Sequence, residues 1–215
     1  MSNTIIDLVE KLKENKDSIK DFTDVLNTNA SLSREIVLNN IDEDTGVKID
    51  SIIRFWNEYD DEKERNFCAE ASNQGVIPGF LKREPIKIYI NSYGGSLVAT
   101  LTIVDAIKKS KTPIYTYNIG AAYSGGFFIF ICGHRRFSYK HSDFLFHEGS
   151  VHMIKHDAGK FKNFSDFYKK QLKQLEEITI ENTKITKEDY EKHRNDDWWI
   201  MALEAKEKGI CDEII

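Results

Sequence analysis

The stretch IKIYINSYGGSLVATLTIVDAIKKSKTPIYTYNI, residues 86–119, decides the fold. IKIYIN (86–91) is dense in β-branched and aromatic residues and predicts a strand. Leu97, Leu101, Val104 and Ile107 then fall on one face of a helix over roughly 97–109, which Thr112-Pro113 ends. IYTYNI (114–119) predicts the next strand. A helix between two strands rules out a hairpin, so the strands run parallel through a right-handed crossover. The fold class is α/β, built from strand–turn–helix units.

The flanks extend this unit in both directions. Upstream, Ile36, Val37 and Leu38 suggest a short strand over 34–39, and Val47, Ile49, Ile52, Ile53 and Trp56 a helix over 47–59. Residues 60–84 are charged, then glycine-containing, and read as a surface insertion. Residues 4–26 have an amphipathic pattern and 27–33 form a polar joint, so a helical N-terminal extension (1–30) is expected before a domain of residues 31–215. Downstream, FFIFIC (127–132) is a buried apolar segment, and Phe137–Tyr139 and Asp143–His147 are further short strands. A long helix is expected over 158–178, with Phe161, Phe164, Tyr168, Leu172 and Leu175 on one face. Thr186 to Asp189 resembles a capping sequence, and a last helix over about 200–208 stops at Gly209.

A chain of 215 residues supports one good-sized core. The formal net charge of -5 argues against a nucleic-acid partner. No apolar run of about 18 residues exists, and the N-terminus lacks a secretory h-region. Neither a membrane nor a secretory destination is expected. Cys68, Cys132 and Cys211 are odd in number and far from metal-like spacing, which suits free thiols and a cytoplasmic location. No metal, organic cofactor or Walker-type loop is implied.

Two turns follow apolar strands: Asn91-Ser92-Tyr93-Gly94-Gly95-Ser96 and Gly120-Ala121-Ala122-Tyr123-Ser124-Gly125-Gly126. Such turns expose backbone N–H groups where a helix dipole favours negative charge. The second puts Ser124 where the chain must bend sharply. A serine hydroxyl needs a base to take its proton and donors to hold the oxyanion. The N–H groups of Gly95 and Gly125 are the candidate donors. His147 ends an apolar strand-like segment and is the candidate base. Asp189, Asp196 and Asp197 are late carboxylates that could orient the imidazole, and Asp197 precedes Trp198-Trp199, which could bury it.

These motifs resemble those of the Clp protease proteolytic subunit family. INSYGGS (90–96) is similar to its INSPGGS signature, and GAAYSGG (120–126) to its G-x-A-A-S-M-G nucleophile block. Ser124 lies 29 residues after Gly95, the family's own separation. SDFLFH (142–147) resembles the strand that ends in the family's histidine, and residues 195–214 its C-terminal block, with Asp197 on the acid. The resemblance implies a crotonase-like fold with a protruding long helix, and a Ser124–His147–Asp197 triad. It also implies a peptide or unfolded-protein substrate bound as an added strand. Further implied are a homo-oligomeric ring of seven, or two such rings in contact through the 158–178 helix, and an AAA+ unfoldase as partner. Departures are Tyr93 for proline, Tyr123 beside the nucleophile, Gly125 for methionine, Glu148-Gly149 for Gln-Pro, and Asn195-Asp196-Asp197 for an acid–Arg–acid run.

Three other readings use the same residues. SGGFF (124–128) resembles the serine–lysine signal peptide peptidases, with a lysine such as Lys173 as base. Crotonase-fold acyl-CoA enzymes share the paired turns. A non-catalytic ring subunit would keep the fold and lose the chemistry.

Overall fold

The computed structural model describes residues 33–149 and 158–215. The expected N-terminal extension and its 4–26 helix lie outside them. The element order is β1 (Glu35–Leu38), α1 (Glu43–Asn73), β2 (Ile86–Ser92), α2 (Leu97–Lys109), β3 (Ile114–Tyr123), α3 (Gly125–Ile131), β4 (Arg135–Ser138) and β5 (Asp143–Phe146). Then come α4 (Ala158–Asn182), α5 (Lys187–His193), β6 (Trp198–Met201), α6 (Ala202–Glu207) and β7 (Glu213–Ile214).

Strands β1, β2, β3, β4 and β7 lie side by side in that order, all parallel. The long β3 serves two neighbours. Tyr115–Asn118 pairs with β4, and Ala121–Tyr123 pairs with β5. β6 then adds antiparallel to β5, opposing Phe146 to Trp198 and Leu145 to Trp199. This branch brings three chain segments to one end of the sheet. There β3 delivers Ser124, β5 delivers His147, and β6 starts one residue after Asp197.

The core lies between sheet and helices. Ile86, Ile88 and Ile90 point inward from β2 against Ile103 and Ile107 of α2 and Ile49, Ile53 and Trp56 of α1. Burial of this kind is worth roughly 1.5–3 kcal/mol per large side chain. Midway along α1, buried Asp60 accepts from Arg34 at 2.6 and 2.8 Å and from the Thr112 hydroxyl at 2.7 Å. Arg34 also lies over the Trp56 ring at 4.1 Å.

Several expectations need revision. Residues 60–73 belong to α1, which runs on to Asn73, while 76–85 is irregular. The buried positions of α1 stop at Asp60, so the apolar period fades while the helix continues on charged residues that favour helix. FFIFIC is buried as expected, and its first five residues complete α3; every residue of α3 is buried, so no polar face marks its period. The last helix is shorter than expected, because Trp198–Met201 is a strand that alternates in and out. The Thr186 capping box is present, with Asp189 as its reciprocal partner.

Candidate active site

The turn after β2 is pressed against the segment that follows β1. Gly95 bridges Ile41, and the Ser96 N–H donates to the Ile41 carbonyl at 2.7 Å. A Cβ on Gly95 would fall into that carbonyl. Gly94 has φ of 101°, and a Cβ there would stand 2.7 Å from Ser124 Cβ. Only glycine allows these two turns to touch.

Ser124 itself has φ of 52° and ψ of -118°, a conformation an L-residue adopts at a cost of about 1–3 kcal/mol. Its neighbours impose it. The Ser124 N–H donates to the Leu145 carbonyl of β5 at 2.9 Å, and its carbonyl accepts from Phe127 N–H at 3.0 Å to start α3. The side chain makes no capping bond to α3. The hydroxyl is therefore held at the mouth of a helix without being used by it.

Ser124, Gly95, Gly125 and His147 line one cleft of about 610 Å³, with Val98, Phe128, Phe164 and Phe167 among its apolar walls. An adjoining hollow of about 400 Å³ is lined by His147, Glu148, Arg194, Asp196 and Asp197. The imidazole belongs to both, with Ser124 in one and Asp197 in the other. His147 Nδ1 stands 3.6 Å from Asp197 Oδ1, within range of charge attraction and beyond hydrogen-bond length. A larger hollow of about 1010 Å³, between α1 and α2, is lined by charged residues such as Asp50, Arg54 and Lys109 and holds none of these groups.

Asp197 is not buried by the tryptophans, contrary to expectation: its side chain is 61% exposed. Trp198 turns inward to stack on His193 at 4.0 Å, while strand alternation turns Trp199 outward onto the Tyr123 ring at 5.2 Å. Tyr123 donates its hydroxyl to Asp143 at 2.6 Å, and burial with that bond pushes its pKa up to about 12. It stands beside Ser124 as a fixed neutral wall. Lys173, the candidate base of the serine–lysine reading, is 73% exposed, 3.7 Å from Glu177 and lines neither hollow.

Glu148 went unnoticed as a site residue, although it stands next to His147 and departs from the glutamine of the family motif. Its side chain is 8% exposed and lies 3.3 Å from Arg194, and its carbonyl accepts from the Tyr168 hydroxyl at 3.1 Å. Among the described residues no His, Cys, Asp or Glu group is arranged to hold a metal, and no helix is long and apolar enough to cross a membrane.

Comparison with protein families matches residues 80–215 to the Clp protease family. The chain is 30% identical over 166 residues to "ATP-dependent Clp protease proteolytic subunit 2" of Corynebacterium diphtheriae, covering 76% of this chain and 81% of that one. It is 31% identical over 132 residues to "ATP-dependent Clp protease proteolytic subunit 1" of Streptomyces coelicolor, with 60% of each covered. Among solved structures, a ClpP1 mutant from Listeria monocytogenes superposes with a TM-score of 0.68 at 22% identity, over 88% of this chain and 95% of that one. That likeness concerns the fold.

Proposed function

The chain belongs to the Clp protease family, a serine endopeptidase of the Clp type, and we propose that it cleaves peptide bonds through an acyl-enzyme on Ser124, with His147 as base and Asp197 behind the imidazole. One observation carries this reading: Ser124 is held in a positive-φ bend, in a cleft it shares with His147. The orientation of the ring supports the order of the groups. Nδ1 faces Asp197, which leaves Nε2 for the serine. In this mechanism Ser124 Oγ attacks the scissile carbonyl as Nε2 takes its proton. Nε2 then returns the proton to the leaving amine, and water attacks the acyl-enzyme by the same route. The Gly95 and Gly125 amides face the oxyanion and stabilise it by several kcal/mol, roughly 2.7–4 per donor. The 3.6 Å separation closes to a hydrogen bond as the imidazole gains charge.

Labelling of the purified protein by a fluorophosphonate probe tests the nucleophile: it is expected in the unaltered protein and absent from Ser124→Ala. The base is tested separately. His147→Ala is expected to lower peptide turnover by about 10⁴-fold or more, and Lys173→Ala to leave it within two-fold. Turnover lost in the lysine variant and kept in the histidine variant would establish the serine–lysine arrangement instead. Gly95→Ala is expected to cost about 10²-fold or more in kcat, because the added methyl pushes the turn off Ile41 and misdirects the amide. Full kcat in this variant would remove Gly95 from the oxyanion site.

The proposal extends to assembly. The relatives' names describe proteolytic subunits of ATP-dependent Clp proteases, and Phe161 and Phe167 of α4 are each 56% exposed, as a helix that packs on another subunit would leave them. A seven-membered ring, single or paired through α4 and fed with unfolded protein by an AAA+ unfoldase, fits these features. A cytoplasmic site of action agrees with the free thiols of Cys68, Cys132 and Cys211.

A further inference from the structure

His147 and Asp197 are both accessible side chains, 31% and 61% exposed, so burial does not fix the distance between them. Their neighbours do. Phe146 and Glu148 flank His147, and both are gripped by the end of α5 that leads into Asp197. The Tyr190 ring packs edge-on against Phe146 at 5.0 Å. Arg194, three residues before Asp197, reaches Glu148 Oε1 at 3.3 Å with one nitrogen and Glu191 Oε2 at 2.9 Å with another. The Tyr190 side chain is wholly buried, and neither its hydroxyl nor Glu148 Oε1 makes a hydrogen bond in this conformation. Burial, then the nearby Glu148 charge, raises the Tyr190 pKa well above the phenol's ordinary value. The hydroxyl stays protonated, ready to donate to that carboxylate.

We propose that Glu148 is a positioning residue: its ion pair with Arg194 sets how closely Asp197 approaches His147, and thereby how readily the imidazole takes the Ser124 proton. The inference rests on the peptidase reading above. The reach is short. Glu148 adjoins His147 in sequence, and a shift of about 1 Å at a reacting group is enough to cost about 10²-fold in rate. Glu148 borders both the cleft that holds Ser124 and the hollow behind the imidazole, but its carboxylate is 8% exposed and turned to Arg194, so its removal acts on the chemical step more than on substrate binding. Arg194 keeps Glu191 as a partner when Glu148 is neutralised, so no buried charge is orphaned and the fold survives.

The test compares Glu148→Gln, Arg194→Gln and the double variant, each full length, on a short fluorogenic peptide, with melting temperature and particle size measured on the same samples. Each single variant is expected to lower kcat by about 10- to 100-fold with KM within two-fold and particle size unchanged. The double variant is expected to be no slower than either single one, since both remove the same contact. Unchanged kcat in Glu148→Gln, or losses that multiply in the double variant, would overturn the inference while Ser124-dependent turnover still stands. Should Glu148→Gln fail to fold, Arg194→Gln at its half-exposed position decides: unchanged kcat there overturns the inference, and a loss confined to kcat supports it. Absence of Ser124-dependent turnover in the unaltered protein would instead overturn the peptidase reading, and this inference with it.

Discussion

Replacing Ser124 with alanine is expected to lower peptide turnover by about 10⁵- to 10⁶-fold and to leave the fold intact. The size of the loss follows from what the hydroxyl does. In the proposed mechanism it is the atom that bonds to the substrate, and His147 without it has no proton to accept, so removing one member disables the set. What survives comes from the cleft and the oxyanion donors alone. The intact fold follows from what the hydroxyl does not do. It caps no helix, and the bonds that hold the bend run through the Ser124 backbone N–H and carbonyl, which alanine keeps. Alanine also accepts φ of 52° about as poorly as serine, so the strain is unchanged. Near-normal turnover in a folded Ser124→Ala protein would sink the acyl-enzyme.

The largest loss of stability is expected from Asp60→Ala, at about 3–5 kcal/mol in denaturant unfolding. Asp60 is 4% exposed, and its carboxylate holds both Arg34 terminal nitrogens and the Thr112 hydroxyl. Removing it strands a buried guanidinium whose remaining partners are the Glu84 carbonyl and the faces of Trp56 and Tyr59. The contact ties the start of β1 to α1, and the chain leaving β1 is what braces Gly95 through Ile41. Loss of activity at lower temperature is therefore expected to accompany loss of stability. A destabilisation below about 1 kcal/mol would mean that water reaches Arg34 and the pair behaves as a surface bridge.

The strand–turn–helix unit of residues 86–119 could be read because each element carries its own period: alternation in β2, a three-to-four repeat in α2, and small residues at the turn between. The placement of Ser124 and His147 was legible for the same reason, each following an apolar strand. Where the reading stopped short, periodicity was missing. The second half of α1 outruns the core and has no apolar face, and α3, read correctly as buried, has no polar face from which its helical period could be told. The exposure of Asp197 depends on where β6 begins, and that is set by pairing with β5, a contact between residues more than fifty apart. Glu148 could not be singled out without Arg194, 46 residues away.

The bend at Ser124 also sets two demands on that position against each other. A glycine there would release the backbone at no steric cost and would carry no hydroxyl. In the proposed mechanism, a substitution that relaxes the backbone at this site therefore also removes the nucleophile, so stability and turnover cannot both be raised there.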